Sequence, residues 1–150
     1  MPAASEPPAL PRTFRPFGVR IAATVLGVAL LAVALVMWFA FPPRIRAEFT
    51  TFQILTILFL GGLFYAAGFA LARSRVVAAQ AGLRVVNGYR THRFEWNEVL
   101  AVSLRPGNPW AMLDLSDGST VAAMGIQGSD GARARAQVRE LRALVDQLSG

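Results

Sequence analysis

Two long stretches without a single charged residue, Ile21 to Phe41 and Phe49 to Ala72, constrain this chain more than any other feature in it. At a rise of about 1.5 Å per residue the first alone makes a helix of roughly 31 Å, the thickness of the hydrocarbon core of a bilayer. Arginines precede it, as in a secretory leader, but the run is too long and no small-x-small cleavage site follows. Both runs therefore read as transmembrane helices, 21–41 and 49–72, within a membrane region spanning 19–72. Only Pro42 to Glu48 separates them, so they form a tight antiparallel hairpin.

Arginines near the ends of the spans set the expected orientation. Arg12, Arg15, Arg20, Arg73 and Arg75 lie on one side, against Arg44 and Arg46 in the loop. By the positive-inside rule both termini face the cytoplasm of a cell-membrane protein with two spans. Trp38, Phe39, Phe41, Phe49 and Phe52 gather near the loop as an interfacial aromatic belt. Neither span carries an ionisable group, which argues against a pore, transporter or proton relay. Thr24 and Thr56 can satisfy local carbonyls, and Gln53 and Tyr65 are the other polar side chains. Gly62, Ala66 and Ala70 recur every fourth position, as do Ala23 and Gly27. Such small faces permit close helix packing, within the hairpin or in a homodimer.

Charge matters once it is divided along the chain. The net charge is +6, yet residues 1–75 hold seven Arg against two Glu, and residues 76–150 hold eight Arg against seven acids. The excess is juxtamembrane, and the remainder lacks the basic stripe of a nucleic-acid binder. No Cys is present, which excludes disulfides and thiol-ligated metals. Every basic residue other than His92 is Arg, a sign of GC-rich coding that hints at a high-GC bacterium. Residues 1–18, rich in Pro and Ala, show no periodicity and are expected to form a disordered cytoplasmic tail.

Residues 76–150 read as one β-rich domain with a terminal helix. Val76 to Gln80 and Leu83 to Val86 flank an Ala81-Gly82 turn, and Asn87-Gly88 leads into Tyr89 to Glu95 as a hairpin with both turn residues at positive φ. Leu100, Val102 and Leu104 alternate in the next strand, before the loop at 106–109. Trp110 to Ser116 and Thr120 to Met124 flank Asp117-Gly118. From Ala132 to Leu148 the period becomes helical, with Val138, Leu141, Val145 and Leu148 on one face and Ser129 or Asp130 as N-cap. About six strands and a helix imply a curved antiparallel sheet closed by that helix.

Specific residues then suggest a family. Gly82-Leu83-Arg84-Val85, Trp96 in Glu-Trp-Asn-Glu-Val, and Gly107-Asn108-Pro109-Trp110-Ala111-Met112-Leu113 occur in order. They continue in Leu115-Ser116-Asp117-Gly118-Ser119-Thr120-Val121 and Ile126-Gln127-Gly128-Ser129-Asp130-Gly131. From Gly82 to Leu148 the chain resembles the bacterial pleckstrin-homology-like (PH-like) domain of small actinobacterial membrane proteins, the family named after mycobacterial low molecular weight protein antigen 6. The resemblance implies a two-helix transmembrane hairpin followed by a β-rich PH-like barrel with a C-terminal α-helix. It implies no established biochemical activity.

Candidate chemistry is sparse. His92 has no second His or Cys with which to share a metal. Glu95 and Glu98 could suggest an acid and a base, but they read as solvated carboxylates balancing Arg93. Ser103, Ser116 and Ser119 lack a nucleophile-elbow context. Gly125, Gly128 and Gly131 precede a helix without making a phosphate-loop fingerprint. Trp96 and Trp110 read as structural anchors. No catalytic residue, metal or cofactor is expected.

Lipid-binding PH domains carry basic residues around the first hairpin, and the corresponding turn here, Ala79 to Gly82, is uncharged. Arg73, Arg75, Arg84, Arg90 and Arg93 remain as candidate contacts to a membrane surface or ligand. The expected function is therefore a non-enzymatic, membrane-anchored protein. It would present a cytoplasmic PH-like domain to a membrane or cytoplasmic protein partner, for interaction or scaffolding. The alternative is a binder of anionic lipid headgroups or a small ligand.

Overall fold

The strand that opens the main sheet lies in the N-terminal segment expected to be disordered. In the computed structural model, which describes residues 9–150, Arg12–Phe14 forms β1. Helices α1 (Gly18–Ala40), α2 (Pro43–Glu48) and α3 (Thr51–Arg73) follow. Strands β2 (Arg75–Ala79), β3 (Gly82–Asn87) and β4 (Arg90–Phe94) come next. A short 3-10 turn at Trp96–Glu98 then leads to β5 (Val99–Ser103), β6 (Trp110–Leu115), β7 (Thr120–Gln127) and α4 (Ala132–Leu148). The described residues up to Gly18 join Arg73–Gly150 in one compact unit, and Val19–Ala72 form another.

In the first unit the strands make two antiparallel sheets, ordered β1-β2-β3-β4 and β5-β6-β7. The expected barrel is thus a pair of sheets, and no closed ring of hydrogen-bonded strands is found among the described residues. Strand β1 runs against β2 with Phe14 opposite Val76. The helical hairpin is therefore an insertion between two adjacent strands of one sheet, and the domain begins at β1 instead of at residue 76. The part of the expected tail that precedes residue 9 lies outside the described residues. Phe14 is 1% exposed and belongs to the core, which explains why so short a segment is ordered. Arg12 also meets Glu140 of α4 at 2.6 Å.

Alternation builds the rest of that core. Val76 and Ala78, Leu83 and Val85, Ala111 and Leu113 point inward from successive strands, and the α4 face of Ala134, Val138, Leu141, Leu144 and Val145 covers them. Gly125 lets β7 cross β2, since a Cβ there would lie 2.6 Å from the Arg75 Cα. Asn87 ties the sheets together by a different means. Its side-chain amide donates to the Ala122 carbonyl, and its Oδ1 accepts the Met124 N–H at 3.0 Å. This role removes Asn87 from the expected turn. Asn87 pairs with Arg90, and the turn is Gly88-Tyr89 with only Gly88 at positive φ (60°). Glycine at the first central position marks a type II′ turn.

Helix α4 starts where expected, but neither Ser129 nor Asp130 caps it; Gly131 does, without a side-chain bond. The Asp130 carboxylate is otherwise engaged. Its Oδ2 accepts the Phe17 N–H at 2.8 Å and its Oδ1 the Gly18 N–H at 2.9 Å.

In the second unit, α1 and α3 are long and apolar enough to cross a membrane. The connection between them carries the short helix α2 in place of a bare loop. Thr24 and Thr56 hydroxyls donate to Arg20 and Phe52 carbonyls, each at 2.8 Å. Thr50 and Gln53 form a reciprocal cap at the start of α3. Trp38 and Phe41 pack against Phe49 beside α2, with ring centroids 5.6 and 6.3 Å away.

Candidate functional site

Strands β3 and β4 bring two of the sequence-predicted arginines face to face. Register places Arg84 directly opposite Arg93, with both side chains exposed. The two-residue turn makes Asn87 and Arg90 a hydrogen-bonded pair, so alternation leaves Arg84 and Arg93 as a non-hydrogen-bonded pair, the closest kind of cross-strand neighbour. Like charges so placed destabilise a sheet, where favourable pairs contribute about 0.2–1 kcal/mol.

The acids expected to balance them are committed elsewhere. The Glu98 carboxylate accepts the Glu95 N–H at 2.7 Å, and the Glu95 side chain accepts the Glu98 backbone N–H, a reciprocal box around Trp96–Glu98. Among the described residues neither Arg84 nor Arg93 has an ion-pair partner. The expected pairing of Arg93 with Glu95 and Glu98 is thereby corrected, and its reason is local: the 3-10 turn orients both carboxylates toward its own amides.

The other arginines separate. Arg90 is exposed at the start of β4, and Arg75 is half-buried at the start of β2, opposite Val86. Arg73 ends α3 and holds its guanidinium 5.5 Å from the centre of the Tyr89 ring, which is 62% exposed. Beside it the Gly88 N–H donates to the Ser74 hydroxyl at 2.9 Å. Tyr89 was not singled out from sequence, where it read as one more strand aromatic; the turn places it at the tip.

Remaining candidates resolve into structural parts. Trp96 is buried, its indole N–H donating to the Ala79 carbonyl at 2.9 Å, whereas Trp110 is half-buried at the start of β6. His92 is half-buried and stacks on Phe94. No group of three metal-ligating side chains occurs among the described residues. Gly128 donates its N–H to the Pro109 carbonyl and Gly131 to Gly128, so those amides serve the chain itself. The Ser119 hydroxyl, followed by its backbone N–H, holds the Asp117 carboxyl below the ordinary carboxylate pKa and fixes the β6–β7 loop.

Within the helical unit a cavity of about 430 Å³ is lined by apolar side chains such as Leu26, Phe64 and Phe69. A ligand there would find little to orient it. Between α1 and α3, a Cβ added at Gly27 would lie 3.7 Å from the Tyr65 ring and one at Gly68 4.0 Å from the Ala23 Cβ. A side chain at Gly62, expected on the packing face with Ala66 and Ala70, would meet nothing within 4 Å.

Comparison with known proteins agrees with this architecture. Residues 73–144 match the model of the bacterial PH domain family. Uncharacterized proteins of Mycobacterium tuberculosis and Mycobacterium bovis are 36% identical over 86 residues, 57% of this chain and 56% of theirs. The matched stretch thus spans little more than half the length of these relatives. No solved structure matches. PH domains are generally non-catalytic interaction domains, and no enzyme family is indicated. Two sheets, a covering C-terminal helix and the match to the family model lead to one conclusion: the segment 73–144 forms a bacterial PH-like domain.

Proposed function

We propose that this chain is a two-span membrane protein that presents its PH domain on the cytoplasmic side as a non-enzymatic module for protein interaction. The observation that carries this reading is the insertion of the apolar hairpin between β1 and β2. A domain whose sheet pairs strands from either side of an apolar hairpin is suited to work at a membrane. Pairing of β1 with β2 supports both ends of the hairpin emerging on one side, and five juxtamembrane arginines against two in the loop favour the cytoplasm. The uncompensated Arg84–Arg93 pair offers the module a cationic surface.

The test is photo-crosslinking in native membranes from the Arg90 position. A discrete crosslinked protein lost in the Arg84→Gln, Arg93→Gln double variant is expected, and a chain that crosslinks only to lipid would overturn the reading.

One observation favours the alternative of lipid-headgroup binding. Tyr89, exposed and stacked by Arg73, is the amphipathic pairing that suits a membrane interface. A homodimer through the open side of α3 is likewise supported by Gly61 and Gly62, where an added side chain would meet nothing.

A further inference from the structure

Sheet edges expose unpaired backbone groups, and proteins normally close them. At two of the four edges of this PH domain a side chain takes outward backbone groups, and a third edge strand is very short. At β1, only three residues long, Arg12 is bound to Glu140 of α4. At β5, the Arg142 side chain of α4 donates to the Val102 carbonyl at 2.6 Å. At β7, the Asn87 amide takes the Ala122 carbonyl and the Met124 N–H, the groups a neighbouring strand would otherwise use.

Strand β4 differs. It is the terminal strand of its sheet, and five residues long. Hydrogen-bonded pairing at Asn87–Arg90 directs the N–H and C=O groups of Arg90, His92 and Phe94 toward β3. The same alternation turns those of Thr91 and Arg93 outward, where no partner is present among the described residues. The face beside them carries the opposed Arg84 and Arg93 with no acid to neutralise them.

We infer that the free edge of β4 is the docking site of an extended, acidic segment of a partner protein, which adds as a fifth strand. Backbone pairing to Thr91 and Arg93 supplies the alignment. Acidic residues at alternate positions of the peptide fall on the outer face and neutralise Arg93 and Arg84. The same charges repel the β4 edge of a second copy, so they select a heterotypic acidic strand over self-association. A lipid headgroup could satisfy the guanidinium groups but leaves the outward amides unpaired; the two features together point to a peptide. This inference rests on the interaction-module reading and names the partner class.

The experiment uses the full chain in nanodiscs of neutral lipid. The probe is a synthetic eight-residue peptide with Glu at alternate positions and Val or Thr between them. Controls are the same peptide with Gln for Glu, and with N-methylated backbone at its pairing positions. Expected results are saturable binding, at least tenfold weakening with either control and with Arg84→Gln plus Arg93→Gln, and slowed hydrogen exchange confined to Thr91 and Arg93. The double variant should melt no lower than the parent, since it removes a repulsion, and this separates lost binding from lost folding.

Equal binding of the N-methylated peptide would reduce the site to a diffuse charged surface and overturn strand addition. So would exchange protection absent from Thr91 and Arg93. Lack of peptide binding, with the arginines instead protected in nanodiscs containing anionic lipid, would overturn it in favour of headgroups. A crosslinked protein partner found in native membranes with no peptide binding sinks the edge and spares the module.

Discussion

Gly88 holds φ at 60° between Asn87 and Tyr89, and its N–H meets the Ser74 hydroxyl at 2.9 Å. One residue therefore sets the turn that aims Tyr89 outward, the pairing of β3 with β4, and the position of Asn87 over β7. A β-branched side chain resists this backbone region, so Gly88→Val should lower stability by about 1 kcal/mol or more. Denaturant unfolding of the full chain in detergent, followed through the buried Trp96, measures it; an unchanged midpoint would rule out the turn. Asn-Gly correctly announced a hairpin here but misplaced it by one residue. The signal assumes that Asn serves the turn, whereas its amide is drawn off by Ala122 and Met124, which are distant in sequence and close in space.

At the scale of elements, β1 is decisive. Three residues bring Phe14 into the core opposite Val76, and Phe14 is 1% exposed. Truncating a buried Phe costs about 3–5 kcal/mol, so Phe14→Ala should rank among the most damaging single changes in the PH domain. Thermal unfolding of the full chain checks this, and a shift no larger than that of an exposed control such as Thr13→Ala would remove β1 from the folded core. Nothing local reveals the strand: three residues are too few for a period of two, prolines stand at 11 and 16, and its partner lies beyond the hairpin. By contrast α4, the two apolar helices and the β6–β7 hairpin were legible, because each carries its own period, length or turn residues. The Arg84–Arg93 pair was only half legible. Both residues were visible as candidates, but their opposition depends on register, and their lack of acids depends on how the 3-10 turn uses Glu95 and Glu98.

For the whole molecule, the division into units by space differs from division by sequence. Joining Gly18 to Arg73 through a linker of about six Gly and Ser residues, which reaches up to roughly 20 Å, should give a water-soluble, cooperatively folding PH domain. Residues 73–150 alone lack Phe14 and should be markedly less stable or aggregate through the exposed β2 edge. Equal unfolding midpoints for the two proteins would show that β1 is dispensable. The interleaving also imposes an order in time. During synthesis β1 leaves the ribosome first, and its partner β2 follows roughly 60 residues later, an interval of several seconds at about 5–20 residues per second. The sheet therefore cannot begin to form until the apolar hairpin has been made, so a completed PH domain certifies that its hairpin has been synthesised in full.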